Sequence, residues 1–517
     1  MPNNKFFFEE VVSIDEIHRS HVMEYNKIQN IHLKYINLYL DSKFEDQISQ
    51  VVQGVLSRLE QELINKPQER MLEAISTAAT SIIEGLYQVY GSRNNNCGLG
   101  VPTSKSGYGE KQYQIDGLSH TAVMRVLEEL QSFGWVTRRK GFKNKDGERI
   151  PTTIKPFGEL LKLFQSTKYV WRQQLPIKQD VIVLKGYDPV TQSKEIQSFK
   201  DNDQIIHWRN NLQTYNKFLT QHAICLAVEN YKLDKMIKSM MKKEYRVDWV
   251  FGKKKYKPRI FNFLHVQLRR IFARGSFEHG GRFYGGWWQF IPSEYRSFIT
   301  INGQPTVEID YSELHPRLMY LRANQPIPEG DLYDLGLRYD GVEYDKEIEP
   351  YKSKRKIIKN YVNAVINDEK GNYKLHGNLV NQLGLNTKSL EALLVKKHPL
   401  ITDIKGKGLG LKFQFIDSQV AESVMMRMMS KGILCLPVHD SFICQAEHLQ
   451  ELRQVMEDAY SEVINSTAKI KDPEMFKTDF EPVFYPSGAL DFTYMKNLYS
   501  SVIHEEFLST FYEHSGK

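Results

Sequence analysis

Along the chain the spacing of apolar positions changes period several times, and each change marks an element. Residues 13–65 read as helical, with Ile17, Val22, Tyr25, Ile28, Ile31, Leu33, Ile36 and Leu40 at mixed three- and four-residue spacing. Residues 68–90 form a clearer amphipathic helix that ends before Gly91. The Gly-, Asn- and Ser-rich stretch 91–110, with Pro102, reads as a loop. Ser119 can cap a helix from about His120 to Phe133, whose apolar face is Val123, Val126, Leu127 and Leu130; Gly134 stops it. Two strands are expected over 135–140 and 149–155, around a basic tip with Asp-Gly turn chemistry at Asp146 and Gly147.

Further on, a strand pair is expected over 181–185 and 195–199, then one long helix over 203–233. Val307 and Ile309 alternate with polar neighbours in a short strand, while Ile433, Leu434 and Leu436 to Val438 form a nearly continuous apolar run. Between these strands the spacing predicts helices over 355–367, 387–397 and 411–431. The last is Met-rich, with Phe415, Val420, Val424, Met425, Met428 and Met429 as its core face. A further amphipathic helix covers 447–465, and a Phe- and Tyr-rich tail, 466–517, is expected to pack back on the preceding domain.

This mixture predicts an α+β, multidomain chain, and 517 residues are enough for two to four domains with sizeable cores. The expected segments are a helical region over 1–110, a helix–hairpin module over 111–165, a helical connector over 166–260 and a larger domain over 261–517. A net charge of +7 suits a nucleic-acid partner without establishing one. The cysteines at 97, 225, 435 and 444 have no paired metal-ligand spacing, which argues against a zinc site and for reduced thiols. No apolar run approaches a membrane span, and the opening Met-Pro-Asn-Asn-Lys-Phe lacks a signal-peptide core, so a cytoplasmic protein with no membrane partner is expected.

The chemistry concentrates in two segments, Val307-Glu308-Ile309-Asp310-Tyr311-Ser312-Glu313-Leu314-His315-Pro316-Arg317 and Leu436-Pro437-Val438-His439-Asp440-Ser441-Phe442. Each ends a strand on an aspartate, so Asp310 and Asp440 are candidate ligands for metal. Two carboxylates at one sheet edge suit a pair of Mg²⁺ ions, which prefer carboxylate oxygens and leave room for substrate phosphates. Two such ions roughly 3.5–4 Å apart can activate an attacking hydroxyl and stabilise a leaving pyrophosphate. The bland alternative is that each aspartate merely caps a strand.

Asp310-Tyr311-Ser312-Glu313-Leu314-His315-Pro316-Arg317 resembles the first palm motif of family A DNA polymerases, and Val438-His439-Asp440-Ser441-Phe442 resembles the last. Ser after the second Asp is the choice of single-subunit, phage-type RNA polymerases; family A DNA polymerases usually have Glu. Gly281-Arg282-Phe283-Tyr284, with Glu278 ahead of it, is similar to an Asp-x-x-Gly-Arg-x-Tyr motif of the phage-type enzymes. On physical grounds its glycines allow close backbone approach to a strand, and Arg282 offers a planar fork. Trp287 and Trp288 beside it are expected to pack a core more than to stack on bases.

Arg355, Lys359, Asn363 and Asn367 fall on one helix face at i, i+4 spacing, backed by Ile357, Ile358, Tyr361, Val362, Val365 and Ile366. This resembles the family's fingers helix, with Arg-x-x-x-Lys on the triphosphate. It departs from the family at Asn363, where an aromatic residue is usual, and at Asn367-Asp368, where Tyr-Gly is usual.

The resemblance covers roughly 270–445 and implies a right-hand palm with an antiparallel sheet, helical fingers and a thumb, which would fall in the 166–260 connector. It implies template-directed nucleotidyl transfer, and no set of acidic motifs ahead of it marks a proofreading exonuclease. Asp310 and Asp440 would hold two Mg²⁺ ions, or Mn²⁺, and Lys359 would neutralise developing charge. Arg355, Tyr311, His315 and Asn363 would contact the nucleotide; Arg282, Tyr284 and His439 would contact nucleic acid. The family's DNA polymerases exclude a ribose 2′-hydroxyl with a bulky residue at the place of His315, which favours dNTPs over NTPs and a DNA template and primer.

The helix and basic hairpin of 111–156 resemble a winged-helix module. That resemblance would put Thr121 to Glu128 in a groove and Arg138, Arg139, Lys143 and Lys145 on phosphates. An RNA polymerase or primase-like enzyme stays open, as does a non-catalytic DNA-binding initiator or regulator.

Overall fold

A computed structural model describes residues 29–32, 44–62, 69–91, 97–108, 118–143, 149–166, 180–187, 194–228, 230–241, 245–248, 252–255, 265–339, 343–471 and 473. The fold is α+β, with sheets that are mainly antiparallel. It divides into two units, residues 1–168 and 169–517.

In the first unit, α1 (Glu45–Glu62), α2 (Glu69–Gly91) and α3 (His120–Ser132) share a core. Ile75, Ala78, Ala79, Ile82, Ile83 and Leu86 recur at helical spacing and are all fully buried. α3 forms as expected: Ser119 Oγ accepts from Ala122 N–H at 3.2 Å, and Val123, Val126, Leu127 and Leu130 are buried. Glu129, on the same helix, is buried and pairs with Arg58 at 2.7 Å. Gly134, at φ +66, ends the helix.

The strands are β1 (Gln29–His32), β2 (Cys97–Val101), β3 (Val136–Arg139) and β4 (Thr152–Pro156), in the order β1-β2-β4-β3. A two-residue pairing, Phe142↔Ile150 and Lys143↔Arg149, extends the β3–β4 hairpin. α4 (Gly158–Ser166) follows β4.

Two expectations fail in this unit. Gln29–His32 is a strand parallel to β2, so 13–65 is not continuously helical; most of 1–43 lies outside the described residues. The presumed loop at 91–110 contains β2. Its alternating Leu99 and Val101 are fully buried, and its glycines have a packing cause: a Cβ at Gly98 would sit 2.2 Å from Thr153 Cγ2. Glycine-rich composition concealed the period of two.

Among its described residues the second unit holds two larger sheets besides a two-stranded pairing of Tyr245–Asp248 with Gly252–Lys255. One is β9-β8-β5-β6, built from β5 (Ile182–Tyr187), β6 (Lys194–Gln197), β8 (Arg269–Ala273) and β9 (Ser276–Tyr284), with β5 and β8 parallel. The other is fully antiparallel, β12-β13-β11-β10-β7, from β7 (Ile224–Leu226), β10 (Ile299–Ile301), β11 (Gln304–Asp310), β12 (Cys435–Val438) and β13 (Ser441–Gln445).

The helix expected over 203–233 is two helices, α5 (Asp203–Leu219) and α6 (Asn230–Met241), separated by β7. Ala223 to Val228 are apolar on every side and all buried; such a run has no period with which to announce a strand. Residues 182–226 therefore supply strands to both sheets, and the helical connector expected there is corrected.

The Met-rich helix, α9 in a series where α7 is Leu314–Arg322 and α8 is Tyr351–Asn367, runs Gly410–Ser430 and lies across β9. Phe413, Val420, Val424, Met425 and Met428 are buried on it, whereas Phe415 and Met429 are half-buried. α10 (Leu449–Ile464) packs on α9. Trp287 and Trp288 are core residues, with Trp288 Nε1 donating to the Pro437 carbonyl at 3.1 Å. Of the tail, Ile470 bridges Tyr311; residues 474–517 lie outside the described residues.

Arg270 ties β8, β9 and α9 together from a fully buried position. It donates to Glu422 at 2.6 Å, to Ser418 Oγ at 3.2 Å and to the Gly281 carbonyl at 3.0 Å, with the Trp208 ring 4.6 Å away. Removing one partner of a buried pair strands the other charge. Glu422→Ala should therefore lower stability by about 3–5 kcal/mol, seen as a lower urea midpoint at unchanged slope.

Candidate functional site

The site forms at the end of the antiparallel sheet. β11 carries Asp310 at its C-terminus, and the β12–β13 hairpin carries His439 and Asp440 in its two-residue turn. Asp310 lies opposite Ser441 in the ladder, and Tyr311 N–H donates to the Asp440 carbonyl at 3.3 Å. Strand pairing thus brings together the two aspartates that the sequence separates widely. His439 sits at φ +64, a conformation that costs a residue with a Cβ roughly 1 kcal/mol. Its Nδ1 is buried without a hydrogen-bond partner, and its ring meets Tyr284 edge-on at 5.1 Å.

Asp310 Oδ1 is also buried without a partner. Burial and then the nearby Asp440 push the Asp310 carboxyl up to about 8, against the opposing pull of Lys359 and Lys471. Glu308 points to the same face two residues earlier, but it is neutralised: Arg296 donates to it at 2.7 and 3.0 Å, and Ser441 Oγ at 2.6 Å. Ser441 therefore orients Glu308, not Asp440.

The basic stripe of α8 faces this site in part. Lys359 is exposed, and its charge acts on Asp310. Arg355 is engaged: its fork sits on Asp331, with Glu313 3.9 Å away. Burial alone would raise the Asp331 carboxyl, but the bonds from Arg355 outweigh it and hold it well below the usual range. Asn363 reaches Tyr333, a buried phenol whose ionisation is opposed by burial and by Glu313.

Tyr311 lies apart from this surface. It is buried, donates its hydroxyl to the Met456 carbonyl at 2.6 Å and packs on Tyr460, so the side chain serves the core.

Arg282 and His315 meet at a residue the sequence reading missed. Asp417, on α9, accepts from Arg282 Nε at 3.0 Å and from Arg282 Nη2, and lies 2.9 Å from His315 Nε2. Burial would lower Arg282, but the Asp417 carboxylate holds it above its ordinary value. The motif glycines serve packing as well: a Cβ on Gly281 would lie 2.9 Å from both Phe272 and Ser418 Oγ.

Asp417 could have been found from its place in the apolar stripe Phe413, Val420, Ala421, Val424, where a carboxylate needs a cationic partner. Glu308, Glu313 and Asp331 carried no such signal.

Arg138, Arg139 and Lys143 belong to the first unit. Arg138 is exposed and donates to Gln131 at 3.1 Å; Arg139 lies 5.1 Å over the Phe142 ring, and partial burial lowers it to about 10. Lys143 pairs with Arg149 through the strand register; its side chain lies outside the described residues.

Among the described residues, no three of His, Cys, Asp and Glu converge as a metal-binding cluster. Asp310 and Asp440 supply a pair. An orphaned, repelled carboxylate oxygen fits a hard cation whose remaining ligands come from water and substrate oxygens. A scan against protein-family models and a search of curated proteins returned no match to this chain.

Asp310 keeps its proton in the fold up to about pH 8, but only to about pH 4 when unfolded. The folded state binds more protons between those values, so metal-free stability should fall as pH rises through that window and level off above it. Asp310→Asn should remove this dependence. The metal-free variant should be about 1–3 kcal/mol more stable than the parent at pH 8 and no more stable at pH 4, as read by urea unfolding.

Proposed function

We propose that the second unit is a template-directed nucleotidyltransferase, most simply a DNA-directed DNA polymerase. The observation that carries this is the Asp310–Asp440 pair, one oxygen orphaned and one carboxyl held high, at a sheet edge beside Lys359. The resemblance of the surrounding motifs to family A and phage-type palms points the same way.

Two Mg²⁺ ions held by Asp310 and Asp440 would lower the pKa of the primer 3′-hydroxyl and offset charge on the leaving pyrophosphate. Lys359, on the same side, places a positive charge where the triphosphate would lie. Arg355 would reach outer phosphates by leaving Asp331, one anion replacing another. His315 is half-buried beside Arg282; by the resemblance its bulk would press on a ribose 2′-hydroxyl, which would favour dNTPs. Ser441 and the Gly280-Gly281-Arg282 motif lean toward an RNA product; of these, the Ser441 hydroxyl donates to Glu308 at 2.6 Å.

The first unit supports a DNA-binding role. Its strand order β2-β4-β3, with α3 leading into β3, is compatible with a winged helix whose β3–β4 tip is the wing. Residues 133–162 hold eight Lys and Arg against three Asp and Glu.

The direct test is primer extension on DNA with Mg²⁺, offering dNTPs and NTPs separately. Extension with dNTPs should fall by roughly 1,000-fold or more in Asp440→Ala and in Asp310→Ala. Product from NTPs alone without primer would move the assignment to an RNA polymerase or primase. Inert protein that still binds DNA would make it a non-catalytic binder.

For the first unit, replacing Arg138 and Arg139 together by Gln should weaken DNA binding evenly across sequences. It should also reduce the slope of log affinity against log salt by about 2. An unchanged slope would remove these two residues from the interface.

A further inference from the structure

Among the described residues of the second unit, Asp417 is the one carboxylate that holds two predicted site residues at once. It emerges from the buried face of α9, its side chain 1% exposed, and meets Arg282 from β9 and His315 from α7. Three elements that do not adjoin in sequence thus converge on one acid. The His315 ring also meets Phe413, one turn before Asp417 on the same helix, edge-on at 5.9 Å.

The contact with Asp417 points to one tautomer of the imidazole. His315 Nε2 lies 2.9 Å from Asp417 Oδ2 and 3.3 Å from Arg282 Nη2. An arginine only donates and an ionised carboxylate only accepts. A bare Nε2 facing Oδ2 at 2.9 Å would set two lone pairs against each other, so Nε2 carries the proton and donates it to Asp417. Nδ1 is then the nitrogen whose protonation Asp417 does not dictate. The carboxylate sets both where the ring stands and which edge is a donor, while its charge is balanced by Arg282.

We infer that Asp417 is the positioning residue for sugar selection: it holds His315 in the orientation that discriminates deoxyribose from ribose, and holds Arg282 beside it. This rests on the nucleotidyl-transfer reading. It goes further by making discrimination depend on a hydrogen bond and not on the size of the His315 ring alone. A ring of the same bulk that cannot donate to Asp417 has no fixed edge and no fixed place.

The test separates bulk from grip. His315→Phe keeps the ring and leaves the Arg282–Asp417 pair whole; Asp417→Asn keeps the shape and removes the charge that orders both partners. The ratio of kcat/KM for dNTP to that for NTP is measured for the parent, each variant and the double variant. Each single variant is expected to lose at least tenfold in this ratio, with the double no worse than His315→Phe. Full discrimination in His315→Phe would overturn the proposal in favour of bulk alone. A further loss on adding Asp417→Asn to His315→Phe would also overturn it, because Asp417 would then act by another route.

A second measurement does not need catalysis and stands even if Asp417→Asn folds poorly. In ¹⁵N-histidine-labelled parent protein, the His315 resonance, assigned by its loss in His315→Phe, should show a protonated Nε2. A His315 that is unprotonated at Nε2, or that averages between tautomers, would overturn the lock. Polymerisation by the parent with unchanged discrimination in both variants defeats this inference alone. Absence of any nucleotide incorporation by the parent defeats the polymerase reading and leaves the tautomer to decide whether Asp417 positions His315.

Discussion

The register of β11 against β13 is the constraint on which the site depends. In this ladder Asp310 faces Ser441, Ile309 faces Phe442 and Val307 faces Cys444. A slip of one residue would turn Ile309 outward and drive Asp310 into the core, because side chains alternate strictly along a strand. Ile309, Phe442 and Cys444 are buried, and Val307 nearly so, so the register is enforced by apolar area well away from the carboxylates. The core side of the sheet determines where Asp310 emerges. The two-residue turn after Val438 then places Asp440 beside it.

Holding two acids together is unfavourable, and the surroundings show how the fold bears it. Carboxylates near the site that are not needed bare are each given a guanidinium: Glu308 has Arg296, Asp417 has Arg282, and Asp331 has Arg355. Asp310 is treated differently. Its nearest cations, Lys359 and Lys471, act through space, and one of its oxygens has no donor. A paired acid gains charge-assisted bonds that pin two elements, whereas an unpaired one stores repulsion that a cation can relieve. The positive φ of His439 adds backbone strain at the same turn. Both costs fall where the sequence resemblance had placed the chemistry.

Legibility followed physical range. The capping of α3 by Ser119, the amphipathic α2 and α9, and the strands that lead to Asp310 and Asp440 rest on local period and local hydrogen bonding, which a linear sequence displays. Elements buried on all sides, such as β7, or disguised by glycines that serve packing, such as β2, show no period and were misread. Site residues divide in the same way. That Asp310, Asp440 and Lys359 belong to one candidate site was legible because their motifs are contiguous. The partners of Arg282 and Arg355, namely Asp417 and Asp331, lie 135 and 24 residues away and become visible only after folding. Tyr311 shows the converse error: a residue inside a site motif whose side chain serves the core behind it.

The distribution of paired and unpaired charge constrains the ligand independently of any motif. Arg282, Arg296 and Arg355 are already matched by carboxylates, so a neutral ligand would find no reason to disturb them. Lys359 makes no ion pair with a described residue and stands beside an acid that is itself short of positive charge. A lone anion arriving there would gain Lys359 but meet Asp440, and Asp310 once it is deprotonated; a lone cation would gain the acids but meet Lys359. On the proposed reading a ligand carrying both signs would satisfy every group, with Asp310 and Asp440 holding the cations and Lys359 meeting the anion. On that reading a metal-complexed polyphosphate has the required form, and its negative charge would compete with Asp331 for Arg355.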